Sequence, residues 1–153
     1  MPGPTRILFV CMGNICRSPM AEGVFLHISK QAGTSDRFHV DSAGTGGWHV
    51  GDPADPRSRD VASRHGIELT SRARQVMDED FHEFDLIVCM DRDNRDHLIA
   101  DGAPADKVVL LLQYDTSITL DEVPDPYYGG PDGFDHMYDL IDASCRKLHE
   151  HLV

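Results

Sequence analysis

The chain has 153 residues, of which 41% are hydrophobic, and this length is enough for one domain with a substantial core. Its 26 acidic side chains outnumber 14 basic ones. The resulting net charge of −12 argues against nucleic acid as a partner, because that binding needs clustered lysine and arginine. No run approaches the roughly 18 apolar residues that span a bilayer, and no signal peptide is recognisable, so we expect a cytoplasmic protein without membrane contact.

Apolar runs alternate with amphipathic stretches along the chain, and this alternation predicts the secondary structure in order. Strands are predicted at residues 6–11, 38–42, 84–90 and 107–112. Helices are predicted at residues 19–31, 57–65, 91–100 and 132–151, and Gly66 stands where a glycine commonly ends a helix. Two long loops remain, at residues 43–56 and 113–131.

Strands that are separated by helices predict parallel pairing and an α/β fold. We therefore expect a single domain over residues 1–153, with a central four-stranded parallel sheet and helices on both faces. In such folds ligands bind beyond the carboxyl ends of the strands. The loop at residues 11–17 follows the first strand, so the sequence predicts a binding site there.

Residues 11–17 read Cys-Met-Gly-Asn-Ile-Cys-Arg and lead into the first predicted helix. Backbone N–H groups at a helix N-terminus point at one spot and favour a bound phosphate. Arg17 can grip two phosphate oxygens in a bidentate fork, and Gly13 permits a positive φ that turns N–H groups inward. The predicted phosphate-binding loop has the nucleophile Cys11 at its base and is lined by Met12, Gly13, Asn14, Ile15, Cys16 and Ser18.

The thiolate is the nucleophilic form of cysteine, and a helix N-terminus with a neighbouring arginine favours it. The Ser18 hydroxyl can donate to the Cys11 sulfur and stabilise that form further. Because Arg17 and the loop amides neutralise the phosphate, the chemistry implies no metal or cofactor. Structural disulfides are less favoured for the four cysteines, because a chain of this size has enough core without them and cytosolic thiols stay reduced. A zinc site at Cys11 and Cys16 is less favoured because no second Cys/His pair has ligand spacing.

The string Val-Cys-Met-Gly-Asn-Ile-Cys-Arg-Ser-Pro at residues 10–19 resembles the signature of low-molecular-weight protein tyrosine phosphatases. Further similarity covers residues 41–45, Trp48, and residues 52–57, 73–75, 90–91 and 125–129. The resemblance implies that Cys11 takes the phosphoryl group and that Arg17 binds it and stabilises the transition state. It also implies that Asn14 braces the loop through Ser42 and that Asp125 is the general acid.

The chemistry of a tyrosine leaving group supports the role of Asp125 independently. A phenol with a pKa near 10 leaves slowly without a proton, and a placed acid contributes about 10²–10⁴-fold. The same carboxylate can then activate water against the cysteinyl-phosphate. Trp48, Tyr127 and Tyr128 stand in the two long loops, and three aromatic side chains there predict a slot for a phenyl ring.

Cys16 has two open interpretations. A second thiol beside the nucleophile can trap its sulfenic acid as a disulfide, as the resemblance implies, or Cys16 is simply a small residue in a tight loop. The chain also departs from many eukaryotic relatives, which carry a histidine where this sequence has Ser71-Arg72. The expected partners are phosphotyrosine proteins, with a tyrosine kinase as a candidate, and we expect a monomer or weak dimer.

Three alternative functions share part of this pattern. Protein-arginine phosphatases resemble this loop but carry threonine in place of Ile15 and lack the tyrosine pair. Arsenate reductases of the same fold need two further redox cysteines close together, whereas here Cys89 is in a predicted strand and Cys145 is far along the chain. A non-catalytic phosphotyrosine-binding module would have no need of Cys11 and Asp125, which are both present.

Overall fold

A four-stranded parallel sheet forms the centre of the molecule. The computed structural model describes residues 3–127, 129–130 and 132–153. The strands are β1 (Thr5–Cys11), β2 (Phe38–Gly44), β3 (Leu86–Cys89) and β4 (Val108–Leu110), in the spatial order β2-β1-β3-β4. Every pairing is parallel. The predicted α/β domain with a central parallel sheet is therefore confirmed.

Among the described residues, five α-helices accompany the sheet. They are α1 (Arg17–Gln31), α2 (Pro56–Arg64), α3 (Asp80–Glu83), α4 (Arg92–Ala100) and α5 (Asp132–Leu152). Short 3₁₀ helices lie at Ser35–Arg37, Ala105–Lys107 and Leu111–Tyr114. No helix in the described part of the chain is long and apolar enough to cross a membrane.

The apolar run of β1 explains why the sheet is covered on both faces. Side chains alternate across a strand, so Ile7 and Phe9 pack on one face while Leu8 and Val10 pack on the other, and all four are fully buried. The first face packs against α1, α2 and α5. The second packs against side chains of α3 and α4, and the expected helices on both faces are thus confirmed.

Some predicted boundaries are wrong. The helix predicted from residue 19 begins at Arg17, because Pro19 in the first turn lacks only an N–H that would have no intrahelical partner. The strand predicted to residue 112 ends at Leu110, where the Gln113 side chain accepts from the Leu110 N–H (3.1 Å) and the chain turns into a 3₁₀ helix.

Further differences from the predicted elements concern α2, β3 and α3. Helix α2 begins at Pro56 rather than at residue 57, and Gly66 follows its end with φ of 76°, as its position predicts. The strand predicted at 84–90 covers only Leu86–Cys89. Helix α3 was not predicted, because one turn of helix in an acidic segment has no periodic pattern.

Both long loops lie at the carboxyl end of the sheet, next to the residues that follow the strands. Thr45 donates through its backbone N–H to the Cys11 carbonyl (3.0 Å). On the other side, the Val123 N–H donates to the Met90 carbonyl just after β3 (2.8 Å). The fold therefore brings the two loops to the end of β1.

Candidate active site

A cavity of about 360 Å³ opens at the carboxyl end of β1. It is built from the loop at residues 11–17, from the loop after β2 and from the long loop before α5. Its lining residues are Cys11, Met12, Gly13, Ile15, Cys16, Arg17, Trp48, His49, Asp125 and Tyr127. The fold thus joins most of the residues that the sequence singled out. Tyr128 lies outside the described residues.

The Cys11 sulfur is buried at the base of this cavity and receives two polar contacts. The Asn14 backbone N–H donates to Sγ at 3.3 Å, and the Ser18 hydroxyl lies 3.0 Å from the same atom. Only 2% of the Cys11 surface is exposed. The Asn14 N–H and the Ser18 hydroxyl are therefore placed to stabilise negative charge on the Cys11 sulfur.

The left-handed residue of the loop is Asn14, with φ of 56°, and not Gly13 as the sequence suggested. Asparagine tolerates this conformation better than most residues, and here its side chain is fully engaged. Gly13 has a different function, because a Cβ at this position would lie 3.2 Å from Cδ2 of His49. The glycine therefore allows the His49 ring to approach the loop.

Hydrogen bonds from the Asn14 amide fix the direction of the contact between Ser18 and Cys11. The Arg74 backbone N–H donates to Asn14 Oδ1 (3.0 Å), so Nδ2 faces Ser18 Oγ (2.8 Å) and Ser42 Oγ (3.0 Å). Since the Ser18 oxygen accepts from the amide, its own proton is left to donate to the sulfur. Asn14 therefore orients the hydroxyl that faces Cys11.

Glu22 of α1 continues this network away from the cavity. The Ser42 hydroxyl donates to Glu22 Oε1 at 2.6 Å, and Ser71 also bonds to this carboxyl. Burial raises the pKa of Glu22, and the bonds from Ser42 and Ser71 offset part of that effect. Ser71 thus contacts the outer end of the network. No sequence signal pointed to Glu22.

Arg17 is buried between the loop and two carboxylates. Its Nη1 donates to Asp91 Oδ2 (2.6 Å) and to the Val123 carbonyl (3.0 Å), and its Nη2 lies 3.8 Å from Asp125 Oδ2. Burial disfavours the charged form, but Cys11 and Asp91 outweigh it and raise the pKa of the guanidinium. Arg17 therefore remains a cation that is held in a fixed orientation.

Asp91 contacts Arg17 directly, although the sequence analysis assigned it no role in the site. Its Oδ1 accepts from the Asn94 N–H (2.8 Å) and caps α4, while its other oxygen holds Arg17. The available signal was a carboxylate just after a strand, at the edge of the sheet where ligands bind. The short similarity at residues 90–91 pointed to the same place.

Aromatic side chains form the outer walls of the cavity. Trp48 is 75% exposed and lies over Gly46, where a Cβ would be 1.8 Å from the indole ring. Tyr127 is half-buried, and its ring centroid lies 6.4 Å from that of His49. His49, whose Nδ1 lies 3.3 Å from Asp52 Oδ2, is a lining residue that the sequence analysis missed.

Cys16 lines the same cavity as Cys11. Burial raises the pKa of the Cys16 thiol to about 12, with Asp55 contributing to the shift. All four cysteines are unpaired and buried, Cys89 and Cys145 among the core residues. Within the described ranges, no cluster of three or more His, Cys, Asp or Glu side chains is placed to hold a metal ion.

The family model described as low molecular weight phosphotyrosine protein phosphatase matches residues 6–153. The chain belongs to this family. A low molecular weight protein-tyrosine-phosphatase from Streptomyces coelicolor is 46% identical over 149 residues, which cover 94% of this chain and 90% of the relative. Members carrying this description are phosphoric monoester hydrolases, and this chain is an enzyme of that class.

Solved structures of similar proteins agree with the fold. A protein tyrosine phosphatase from Entamoeba histolytica superposes with a TM-score of 0.93 at 40% identity and covers 97% of this chain and 96% of its own. The Drosophila arginine phosphatase has a TM-score of 0.87 at 34% identity and covers 95% and 96% of the two chains. The family fold therefore includes a phosphatase named for arginine, and the side chains in the cavity must distinguish the substrates.

Proposed function

We propose that the enzyme hydrolyses phosphotyrosine in proteins through a cysteinyl-phosphate intermediate. In this proposal Cys11 is the nucleophile, Arg17 binds phosphate and stabilises the transition state, and Asp125 is the general acid and base. The observation that carries it is that all three side chains line one cavity although Asp125 comes from a distant loop. Family membership supports the same reaction.

In the first step the Cys11 thiolate attacks phosphorus, an S–P bond forms, and the bond from phosphorus to the phenolic oxygen breaks. The protonated Asp125 carboxyl gives its proton to that oxygen, so tyrosine leaves as a neutral phenol. The Arg17 guanidinium and the loop N–H groups hold the equatorial oxygens as negative charge develops on them.

In the second step the Asp125 carboxylate takes a proton from a water molecule. The water oxygen attacks phosphorus, the S–P bond breaks, and inorganic phosphate is released. The departing sulfur carries the electron pair of that bond, and the Ser18 hydroxyl and the Asn14 N–H contact it. Cys11 returns to the thiolate and Asp125 to the carboxyl, so the cycle is closed.

The cavity supports an aryl phosphate better than a phosphoarginine. Ile15, where arginine phosphatases carry threonine, is apolar and only 8% exposed, so it has no hydroxyl to pair with a guanidinium. Trp48 and Tyr127 offer flat apolar walls to a phenyl ring. Tyr128 is proposed as a third wall on the sequence alone.

The substrate class is tested by comparing turnover of matched peptides that carry phosphotyrosine, phosphoserine or phosphoarginine. We expect turnover of the phosphotyrosine peptide alone, and none with Cys11→Ser, because a serine hydroxyl is not ionised at neutral pH. Preferential turnover of the phosphoarginine peptide would replace the proposal with the arginine alternative. Turnover by Cys11→Ser at the parent rate would contradict a covalent intermediate on Cys11.

We further propose that the substrates are phosphotyrosine proteins of the cytoplasm, with a tyrosine kinase among them, and that the enzyme is a monomer or weak dimer. The unpaired cysteines support a reducing compartment, where thiols remain free. The position of Cys16 in the same cavity as Cys11 supports a reaction that protects Cys11 from over-oxidation. Peroxide converts the Cys11 thiolate to a sulfenic acid, and the Cys16 sulfur attacks it, forming a disulfide and releasing water.

A further inference from the structure

Arg57, in the first turn of α2, connects segments of the chain that are far apart in sequence. Its Nε and Nη2 donate to Oδ1 and Oδ2 of Asp55, each at 3.1 Å. Its remaining terminal nitrogen, Nη1, donates to the Tyr127 carbonyl at 3.1 Å. The guanidinium therefore binds the start of α2 on one side and the loop that carries Asp125 on the other.

Two aromatic rings enclose the same guanidinium. Its Cζ lies 4.5 Å from the centroid of Phe134, in the first turn of α5, and 5.3 Å from the centroid of Tyr127. A cation over these rings is attracted by their negative faces. Arg57 thus contacts both the backbone and the ring of Tyr127, and it does so from outside the cavity, which it does not line.

Asp55 ties this arrangement to the phosphate-binding loop. Its backbone N–H donates to the Ile15 carbonyl at 2.8 Å, and its Oδ1 accepts from the Arg57 N–H at 2.8 Å and caps α2. Burial alone would raise the pKa of Asp55, but the hydrogen bonds from Arg57 outweigh burial and lower it. Asp55 is therefore an ionised partner in a fixed position.

The contact with Tyr127 reaches Asp125 through one further hydrogen bond. The Tyr127 N–H donates to Asp125 Oδ1 at 3.1 Å, so the carboxyl and the backbone of Tyr127 move together. A displacement of Tyr127 would change the distance from this carboxyl to the Arg17 guanidinium, which is now 3.8 Å. Such a displacement would also move the carboxyl relative to the leaving oxygen, and a general acid must lie within hydrogen-bond distance of the oxygen that it protonates.

We propose that Arg57 is a positioning residue, which holds the segment of Asp125 and Tyr127 in place against the phosphate-binding loop. This inference rests on the proposed functions of Asp125 and Tyr127. Asp55 anchors Arg57 to the phosphate-binding loop, and through the Tyr127 backbone Arg57 holds the Asp125 carboxyl opposite the leaving oxygen. Through its ring contact Arg57 also keeps Tyr127 at the cavity wall. Arg57 itself touches neither the substrate nor the reacting atoms.

Arg57→Gln removes these contacts and leaves the cap of α2, since Asp55 still accepts from the backbone N–H of residue 57. We expect kcat/KM for phenyl phosphate, a poor leaving group, to fall about 10-fold, and that for 4-nitrophenyl phosphate to fall less than about 3-fold. Arg57→Lys keeps the charge but cannot bridge Asp55 and Tyr127 at once, so its loss should be intermediate. The melting temperature of each variant checks that it is folded, and its inhibition by inorganic phosphate checks that its phosphate site is intact.

The experiment measures kcat/KM of Arg57→Gln with both substrates, alone and combined with Asp125→Ala. Arg64→Gln is the matched control, because Arg64 lies on the same helix and pairs with Asp60 and Asp135 outside the cavity. We expect a loss selective for phenyl phosphate that disappears when Asp125 is already alanine, and no change with Arg64→Gln. Equal losses with both substrates, or an undiminished loss beside Asp125→Ala, would overturn the inference.

Failure of the underlying proposal gives a different result. If Asp125→Ala alone causes no selective loss with phenyl phosphate, Asp125 is not the general acid, and the inference on Arg57 falls with it. If Asp125→Ala shows that loss and Arg57→Gln does not, the acid remains and only the positioning function of Arg57 is rejected.

Discussion

The phosphate-binding loop and the segment of Asp125 and Tyr127 line the same cavity but are held in different ways. In the loop, Cys11 and Asn14 are almost fully buried, and the Asn14 side chain makes three hydrogen bonds. The Asp125 side chain is 37% exposed, and its segment is attached through Tyr127 to Arg57. In the proposed reaction, phosphate binding thus relies on a buried loop, whereas proton transfer relies on a more exposed carboxyl.

This contrast predicts which variants should lower activity alone and which should lower both activity and stability. A change inside the phosphate-binding loop disturbs buried hydrogen bonds, so it should affect both catalysis and folding. A change at Asp125 removes an exposed carboxyl, so it should affect catalysis alone. The following variants test the contrast in order of decreasing effect.

The largest effect is expected for Arg17→Lys. Lysine keeps the charge but cannot contact Asp91, the Val123 carbonyl and two phosphate oxygens at once, so we expect kcat/KM to fall about 10³-fold. Steady-state kinetics with 4-nitrophenyl phosphate measures this loss. Arg95→Lys, at an exposed ion pair with Asp96, is the control and should be unchanged. A loss below about 10-fold would show that charge alone suffices.

Asp125→Ala should lower activity without lowering stability. We expect kcat/KM for phenyl phosphate to fall about 10²-fold, with a much smaller loss for substrates that leave easily, and a melting temperature within about 1 °C of the parent. Asp121→Asn, an exposed residue of the same loop that pairs with Arg92, is the control. A clear fall in the melting temperature would show that the Asp125 carboxyl also stabilises the fold.

Asn14→Gly and Asn14→Ala should lower both activity and stability. Glycine accepts the φ of 56° but loses the amide contacts, so we expect about a 10-fold loss of kcat/KM and a free energy of unfolding lower by about 2 kcal/mol. Alanine adds backbone strain of about 1 kcal/mol, which denaturant titration would detect as the difference between the two variants. Equal stability of both variants would disprove that strain.

Asp55→Asn should have the smallest effect, and that effect should depend on pH. The folded-state pKa of Asp55 is lowered, so its ionised form stabilises the fold above the unfolded-state pKa, and this contribution is lost as the pH falls through the folded-state value. We expect a loss of less than about 1 kcal/mol at pH 7, because Arg57 is half exposed, and none in strong acid.

Unfolding titrations at neutral and acidic pH compare Asp55→Asn with Asp60→Asn, whose carboxyl is 73% exposed and pairs with Arg64. A difference that persists unchanged at low pH would mean that Asp55 acts through its shape and not through its charge. Such a result would also weaken the ionic link between the phosphate-binding loop and Arg57.

The sequence predicts the parallel sheet and the loop that follows its first strand well, because local patterns encode both. Apolar runs mark the strands, and Cys11 and Arg17 stand in one short string beside a helix start. The functions of Asp91, Glu22 and Arg57 could not be predicted in this way, since each depends on a partner that only the fold brings near. The left-handed position at Asn14 rather than at Gly13 likewise follows from tertiary hydrogen bonds.

Arg17 pairs with two carboxylates that are held in different ways. Asp91 is fixed as the cap of α4, whereas Asp125 is more exposed and its Oδ2 lies 3.8 Å from Arg17 Nη2. Because Nη1 is already bound to Asp91 and to the Val123 carbonyl, an arriving phosphate ester would meet the guanidinium on the side of Asp125. Arg17 can thus take up a second anion without releasing the carboxylate that orients it.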